Sequence, residues 1–179
     1  IVAGVCAATV VIIFRLTFEF IQKTLLGGVA QYSAIDSKYL LFLPVSAIIC
    51  VIIVAKFTGF KHYRMGIPFV IHRIKTRYGH IPLRTSINQF FGGVFSLAGG
   101  FVVGKEGPAV HLAAAGSHFL GQWFRLPFNC LRILTGCGIA AGVSAAFNTP
   151  FAAVIFVMEV VLLQYRVHVF IPVMLAAAC

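Results

Sequence analysis

Few residues in this sequence could do chemistry. Among 179 residues there are four acids, Glu19, Asp36, Glu106 and Glu159, against 14 lysines and arginines. Glu106 and Glu159 lie in or beside apolar stretches, where a carboxylate is costly and is by default a functional candidate. Glu106 belongs to Gly104-Lys105-Glu106-Gly107-Pro108, a break between two apolar segments. The glycines and the proline end one helix there and start another. A helix N-terminus carries about half a positive charge and a set of unpaired amides, which attract anions. A carboxylate held at such an end competes with any free anion for the same donors. Once protonated it is neutral and can swing aside. Lys105 is placed either to draw anions in or to reach the membrane surface with its amine.

Two more breaks share this grammar, Gly66-Ile67-Pro68 and Asn148-Thr149-Pro150. Interrupted helices at membrane depth are tolerated where they line a cavity or are buried in protein. In transporters their positive ends face anionic substrates, although a Gly/Pro break can also be a mere kink. Glu159 reads more readily as a structural acid satisfied by a neighbour than as a proton relay. His111 and His118, seven apart, fall on one helix face and suit a core-facing or lumen-facing role. His62, His72 and His80 match no metal-binding spacing and read as solvated loop residues. Gly99-x-x-x-x-Gly104-Lys105 has the spacing of a phosphate-binding loop, but Glu106 stands where Ser or Thr must hold magnesium, so that reading fails. The five cysteines are scattered and mostly within apolar runs, as buried small hydrophobes are. No nucleophile, base or metal cluster supports an enzyme, and no cofactor is implied.

The elements that position these residues are set by composition. The chain is 60% hydrophobic and 10% charged, with mean hydropathy +1.00. Soluble domains run at about 45–50% apolar and about 25% charged. The expectation is an all-α integral membrane protein of several passes. Residues 1–14 are apolar and lead into Arg15 and Glu19, an i, i+4 pair on one helix face. Residues 39–57 make the cleanest spanning helix, with Pro44 near its start. The segment from Lys56 to Arg84 carries Lys56, Lys61, Arg64, Arg73, Lys75, Arg77 and Arg84, half of the 14 lysines and arginines, and no acid. The positive-inside rule puts it in the cytoplasm, and it explains the net charge of +10 better than nucleic acid does. Apolar helices follow at 85–103, 109–124, 130–147 and 151–163, rich in small residues that let helices approach closely, with Gly138-x-x-x-Gly142 as a packing signature. Both ends of the chain fall in apolar runs and read as cut, so 1–179 is expected to be one unit of a larger protein.

Gly104-Lys-Glu-Gly-Pro108 followed by Ala-Val-His, the run from Gly138 through Asn148-Thr-Pro150 to Glu159, and Gly66-Ile67-Pro68 together resemble the CLC chloride channels and proton-coupled chloride transporters. The resemblance covers nearly the whole chain. It implies the first half, helices B to I, of an inverted-repeat transmembrane domain with broken and tilted helices. It implies a homodimer in a lipid bilayer, the plasma or inner membrane, with one anion pathway per subunit and chloride as the permeant ion. By resemblance Glu106 is the gating glutamate, and Met65, Gly66, Ile67, Gly104, Lys105, Gly107 and Pro108 are the anion-facing residues. Two departures stand out. Met65 replaces the family's serine and cannot donate a hydroxyl hydrogen bond, a feature shared with fluoride exporters. Val160 stands where coupled transporters carry an internal proton-transfer glutamate, as in channel members. The expectation is therefore channel-like chloride permeation. A proton-coupled chloride or fluoride antiporter is the alternative, and a non-transporting membrane scaffold the second.

Overall fold

Eight α-helices are found among the described residues of a computed structural model of the chain, which describes residues 1–25, 37–58, 66–76, 80–163 and 167–178. They are α1 (Val2–Leu25), α2 (Ser37–Phe57), α3 (Ile67–Thr76), α4 (Leu83–Ala98), α5 (Glu106–Trp123), α6 (Phe128–Phe147), α7 (Pro150–Phe156) and α8 (Val167–Ala177). No strand occurs among the described residues. The helix α7 continues without a break as a π-helical segment, Val157–Leu162. Of the basic residues, Lys61, Arg64, Arg77 and Arg166 lie outside the described residues, as does Cys179.

The packing is that of a protein whose outer solvent is apolar. The buried core is built largely from alanine and valine, with Ala7, Ala113, Ala114, Ile139, Ala140 and Val157 wholly enclosed. Large apolar side chains point outward instead, among them Ile13, Leu16 and Phe20 of α1 and Ile49, Ile52 and Ile53 of α2. So large an exposed apolar surface is foreign to a soluble monomer and suits lipid contact. By length and composition α6 and residues Val2–Thr24 of α1 can each cross a membrane.

Small residues set the distances between helices. The hairpin of α5 and α6 is the tightest pairing, and α1 lies across both. A Cβ built on Gly138 would overlap Ser117, and one on Gly142 would overlap Ala113, so the Gly138-x-x-x-Gly142 pair is a contact stripe facing α5. Gly99 meets Ala47 in the same way, which lets α4 close on α2. The Arg15–Glu19 pair forms as expected, with Arg15 Nε donating to Glu19 Oε1 at 2.8 Å on an exposed face.

Several boundaries differ from the sequence reading. Helix α4 ends at Ala98 with Gly99 as its C-cap, and Gly100 takes φ +78, so 101–104 form a non-helical stretch ahead of the break. Pro44 lies inside α2 rather than in its first turn. The nearby carbonyl of Leu43 accepts a bond from Ser46 Oγ at 2.9 Å. Among the cysteines, Cys137 is buried, Cys6 and Cys50 are partly buried, and Cys130 is exposed; none of these is in a disulfide.

Candidate functional site

The first helical residue of α5 is Glu106, and Lys105 is its N-cap. No side chain caps this end. The first backbone bond of the helix runs from the Ala109 amide to the Lys105 carbonyl at 3.1 Å. Pro108 has no amide hydrogen, so the unpaired donors of this end are the amides of Lys105, Glu106 and Gly107. The Pro108 ring is buried and packs against Gly93 of α4. Its contribution is to fix the turn, since it has no hydrogen to give an anion.

Helix α3 starts beside this end. Gly66 holds φ +77, a left-handed backbone that glycine adopts without strain. It turns the chain into Ile67, and the Val70 amide closes the first turn on the Gly66 carbonyl at 3.3 Å. Gly66 and Gly107 face each other directly. A Cβ on Gly66 would lie 3.7 Å from the Gly107 Cα, and one on Gly107 would lie 3.8 Å from the Gly66 Cα. Two helix N-termini thus meet backbone to backbone. The third break joins them. Asn148 takes φ +57 and its amide bonds back to the Ser144 carbonyl at 2.7 Å, ending α6 and turning the chain into α7.

These ends border an open pocket of about 280 Å³. Ile67 comes from α3, Glu106 and Val110 from α5, Val143 and Phe147 from the end of α6, and Thr149, Ala152, Ala153 and Phe156 from α7 and its lead-in. The walls are apolar, and the charge comes from Glu106 together with three helix starts. Lys105 reaches the rim, with its Nζ 5.1 Å from the centre of the Phe147 ring. The Glu106 side chain is exposed rather than locked in the wall. Gly104 lies just outside the helix and a side chain there would meet almost nothing. Met65 lies outside the described residues. The structure therefore brings Gly66, Ile67, Glu106 and Gly107 together, with Lys105 at the edge.

Three sites were read incompletely from the sequence. Glu159 lies in the π-helical segment with an exposed side chain and no partner among the described residues, so it is not an acid satisfied by a neighbour there. His80 is not a free loop residue: its Nδ1 lies 3.3 Å from His118 Nε2. Arg132 does more than flank a turn. Its Nη2 donates to the Leu162 carbonyl at 3.2 Å, holding the end of the π-helical segment against α6. His111 and His118 are both buried, as their shared face suggested, but in different surroundings. His111 stacks on Phe69 of α3 at 5.3 Å between ring centres. The Arg73 guanidinium covers Phe69 at 5.1 Å.

Comparison with known sequences bears on these helix ends directly. The profile of the family described as "Voltage gated chloride channel" matches residues 45–179, a span holding all three breaks. The chain belongs to this family. It is 32% identical over 174 residues to "Chloride channel protein CLC-d" of Arabidopsis thaliana, covering 86% of this chain and 20% of that protein. It is 40% identical over 79 residues to "H(+)/Cl(-) exchange transporter ClcA" of Vibrio campbellii, covering 44% of this chain and 17% of that protein. The chain thus spans about a fifth of the length of such relatives. Membership of the voltage-gated chloride channel family agrees with the all-helical membrane fold and with the apolar outer surface. The two relatives are named for different activities, a channel and an exchanger, so the family alone does not choose between them.

Proposed function

We propose that the protein moves chloride across a lipid bilayer along a path that passes the pocket at the starts of α3, α5 and α7. The observation that carries this is the facing of Gly66 and Gly107, which sets the uncapped N-terminus of α5 against the start of α3 over one pocket. Helix starts of this kind favour an anion by about 0.3–1 kcal/mol each when exposed, and by more when water is excluded. In this reading the amides of Gly66, Ile67 and Gly107 supply donors, with Met65 and Gly104 flanking them. Pro108 stiffens the turn, and Lys105 raises the local anion concentration. Glu106 is the gate. Its carboxylate occupies the anion's place when ionised and leaves it when protonated. The helix-end arrangement also gives a reason for a carboxylate to be stable there without a cation partner.

The permeation is channel-like in this reading, because Val160 offers no carboxylate beside Glu159. The competing antiporter reading draws on the likeness to a protein named as an exchanger. The protein works as a homodimer with the basic segment 56–84 on the cytoplasmic side. The test is chloride efflux from liposomes carrying the protein, as wild type and as Glu106→Gln. The wild type should show flux whose rate changes with external pH. The variant should show flux that no longer responds to pH. Absence of flux at every pH and voltage overturns permeation in favour of a membrane scaffold. An unchanged pH response in Glu106→Gln overturns the gate.

A further inference from the structure

At the opposite end of α5 from Glu106 a second polar cluster lies in a pocket of about 400 Å³. His118 and Gln122 are i, i+4 neighbours and share one face of that helix. His80 comes from the stretch leading into α4. The His80 Nδ1 is 3.3 Å from His118 Nε2 and 3.2 Å from Gln122 Nε2. Three side chains thus converge on one point. The placement of the Gln122 amide is interchangeable, and its oxygen can take the position of its nitrogen. The His118 ring is buried, with 4% of the residue exposed, and its Nδ1 has no partner among the described residues. His80 is exposed and leaves the cluster open to solvent.

The spacing is that of metal ligands. In tetrahedral zinc coordination with bonds of about 2.0–2.1 Å, two ligating nitrogens lie about 3.3–3.4 Å apart. The 3.3 Å contact from His80 Nδ1 to His118 matches that edge, and the 3.2 Å contact to Gln122 lies just inside it. Without a cation, a single imidazole nitrogen of His80 is shared between two neighbours. With one, neutral rings at His80 and His118 and the Gln122 oxygen can each offer it a lone pair. We propose that His80, His118 and Gln122 form a three-ligand site for a divalent transition-metal cation of the zinc class, open to solvent at its fourth position. Arg125, which lines the same pocket and holds φ +50, favours an anion such as chloride or hydroxide as that fourth ligand. The site stands apart from the gate, because His118 is twelve residues beyond Glu106, or about 18 Å along a helix.

The experiment measures binding directly, independent of any flux. The purified protein in detergent is titrated with cobalt(II), followed by visible absorbance, and then with zinc(II) by calorimetry. The expected result is saturable binding of one metal ion per chain, with the intense visible bands of four-coordinate cobalt. His80→Ala, at an exposed side chain, should weaken zinc binding at least tenfold. His118→Asn should do the same. Gln122→Glu should tighten binding, because a carboxylate is a stronger ligand than an amide, and a merely structural role for Gln122 would not produce that gain. Absence of saturable zinc binding, or equal binding by wild type and His80→Ala, overturns the proposal. Saturable binding of inorganic phosphate that is lost in His80→Ala, without zinc binding, also overturns it and assigns the cluster to oxyanions.

Discussion

The meeting of Gly66 and Gly107 can be tested by adding one methyl group at a time. Gly66 holds φ +77, and a residue with a Cβ there costs about 1–2 kcal/mol in conformational energy. The added carbon would sit 3.7 Å from the Gly107 Cα, an ordinary contact, so no steric term is added. Gly66→Ala should therefore lose about 1–2 kcal/mol. For a chain of this size that lowers the melting temperature by about 2–8 °C. Gly107 carries no such penalty, since it lies in the first turn of α5 and its Cβ would be 3.8 Å from the Gly66 Cα. Alanine has a helix propensity up to about 1 kcal/mol better than glycine, so Gly107→Ala should melt no lower than wild type. Both single variants place a methyl group between the two helix starts and should slow chloride flux. The double variant puts two methyl groups into one gap. Its loss should exceed the sum of the singles by about 0.5–3 kcal/mol, as contacting positions do. Thermal melts in detergent and liposome efflux on the four proteins decide it. Equal melting of the two single variants would refute the left-handed turn at Gly66. Additivity in the double would refute the direct facing of the two glycines.

Three other outcomes follow from the packing and the proposed path. Gly142→Val places its Cβ on Ala113 and should destabilise the α5–α6 hairpin by at least about 1–3 kcal/mol, whereas Gly92→Ala, with nothing within 4 Å, should be neutral or stabilising in the same melts. Arg132→Ala removes the bond to the Leu162 carbonyl and should cost about 1.5–3 kcal/mol, seen as earlier hydrogen exchange in Val157–Leu162. A chloride gradient across liposomes carrying the wild type should drive no proton movement, followed with a pH dye, and net proton transport would refute the channel-like reading drawn from Val160.

Much of the site's chemistry was legible one residue at a time. Gly-Pro breaks announce helix starts because proline fixes its own φ and lacks an amide, and glycine permits the turn that precedes it. Gly138 and Gly142 announced a close helix contact because only a missing side chain lets backbones approach. The histidines were less legible. His80 and His118 are 38 residues apart, and no local spacing rule links a loop residue to a helix face brought beside it by folding. Whether Glu159 finds a neighbour was no more legible, since that depends on which elements pack around it.

Composition determined that the chain is bound for lipid, and its long unbroken apolar runs that it crosses as helices, because a backbone without water must satisfy its own hydrogen bonds within each segment. Local sequence also determined where most helices begin, since caps and breaks act over a few residues. Only the tertiary structure decided that the starts of α3 and α5 face each other across a glycine contact, with the start of α7 on the same pocket. Each break is separated from the next by some forty residues of chain, and their convergence depends on how α4 and α6 carry the chain back. That return is fixed by close packing of small side chains among helices, a property of pairs of surfaces that no single stretch of sequence contains.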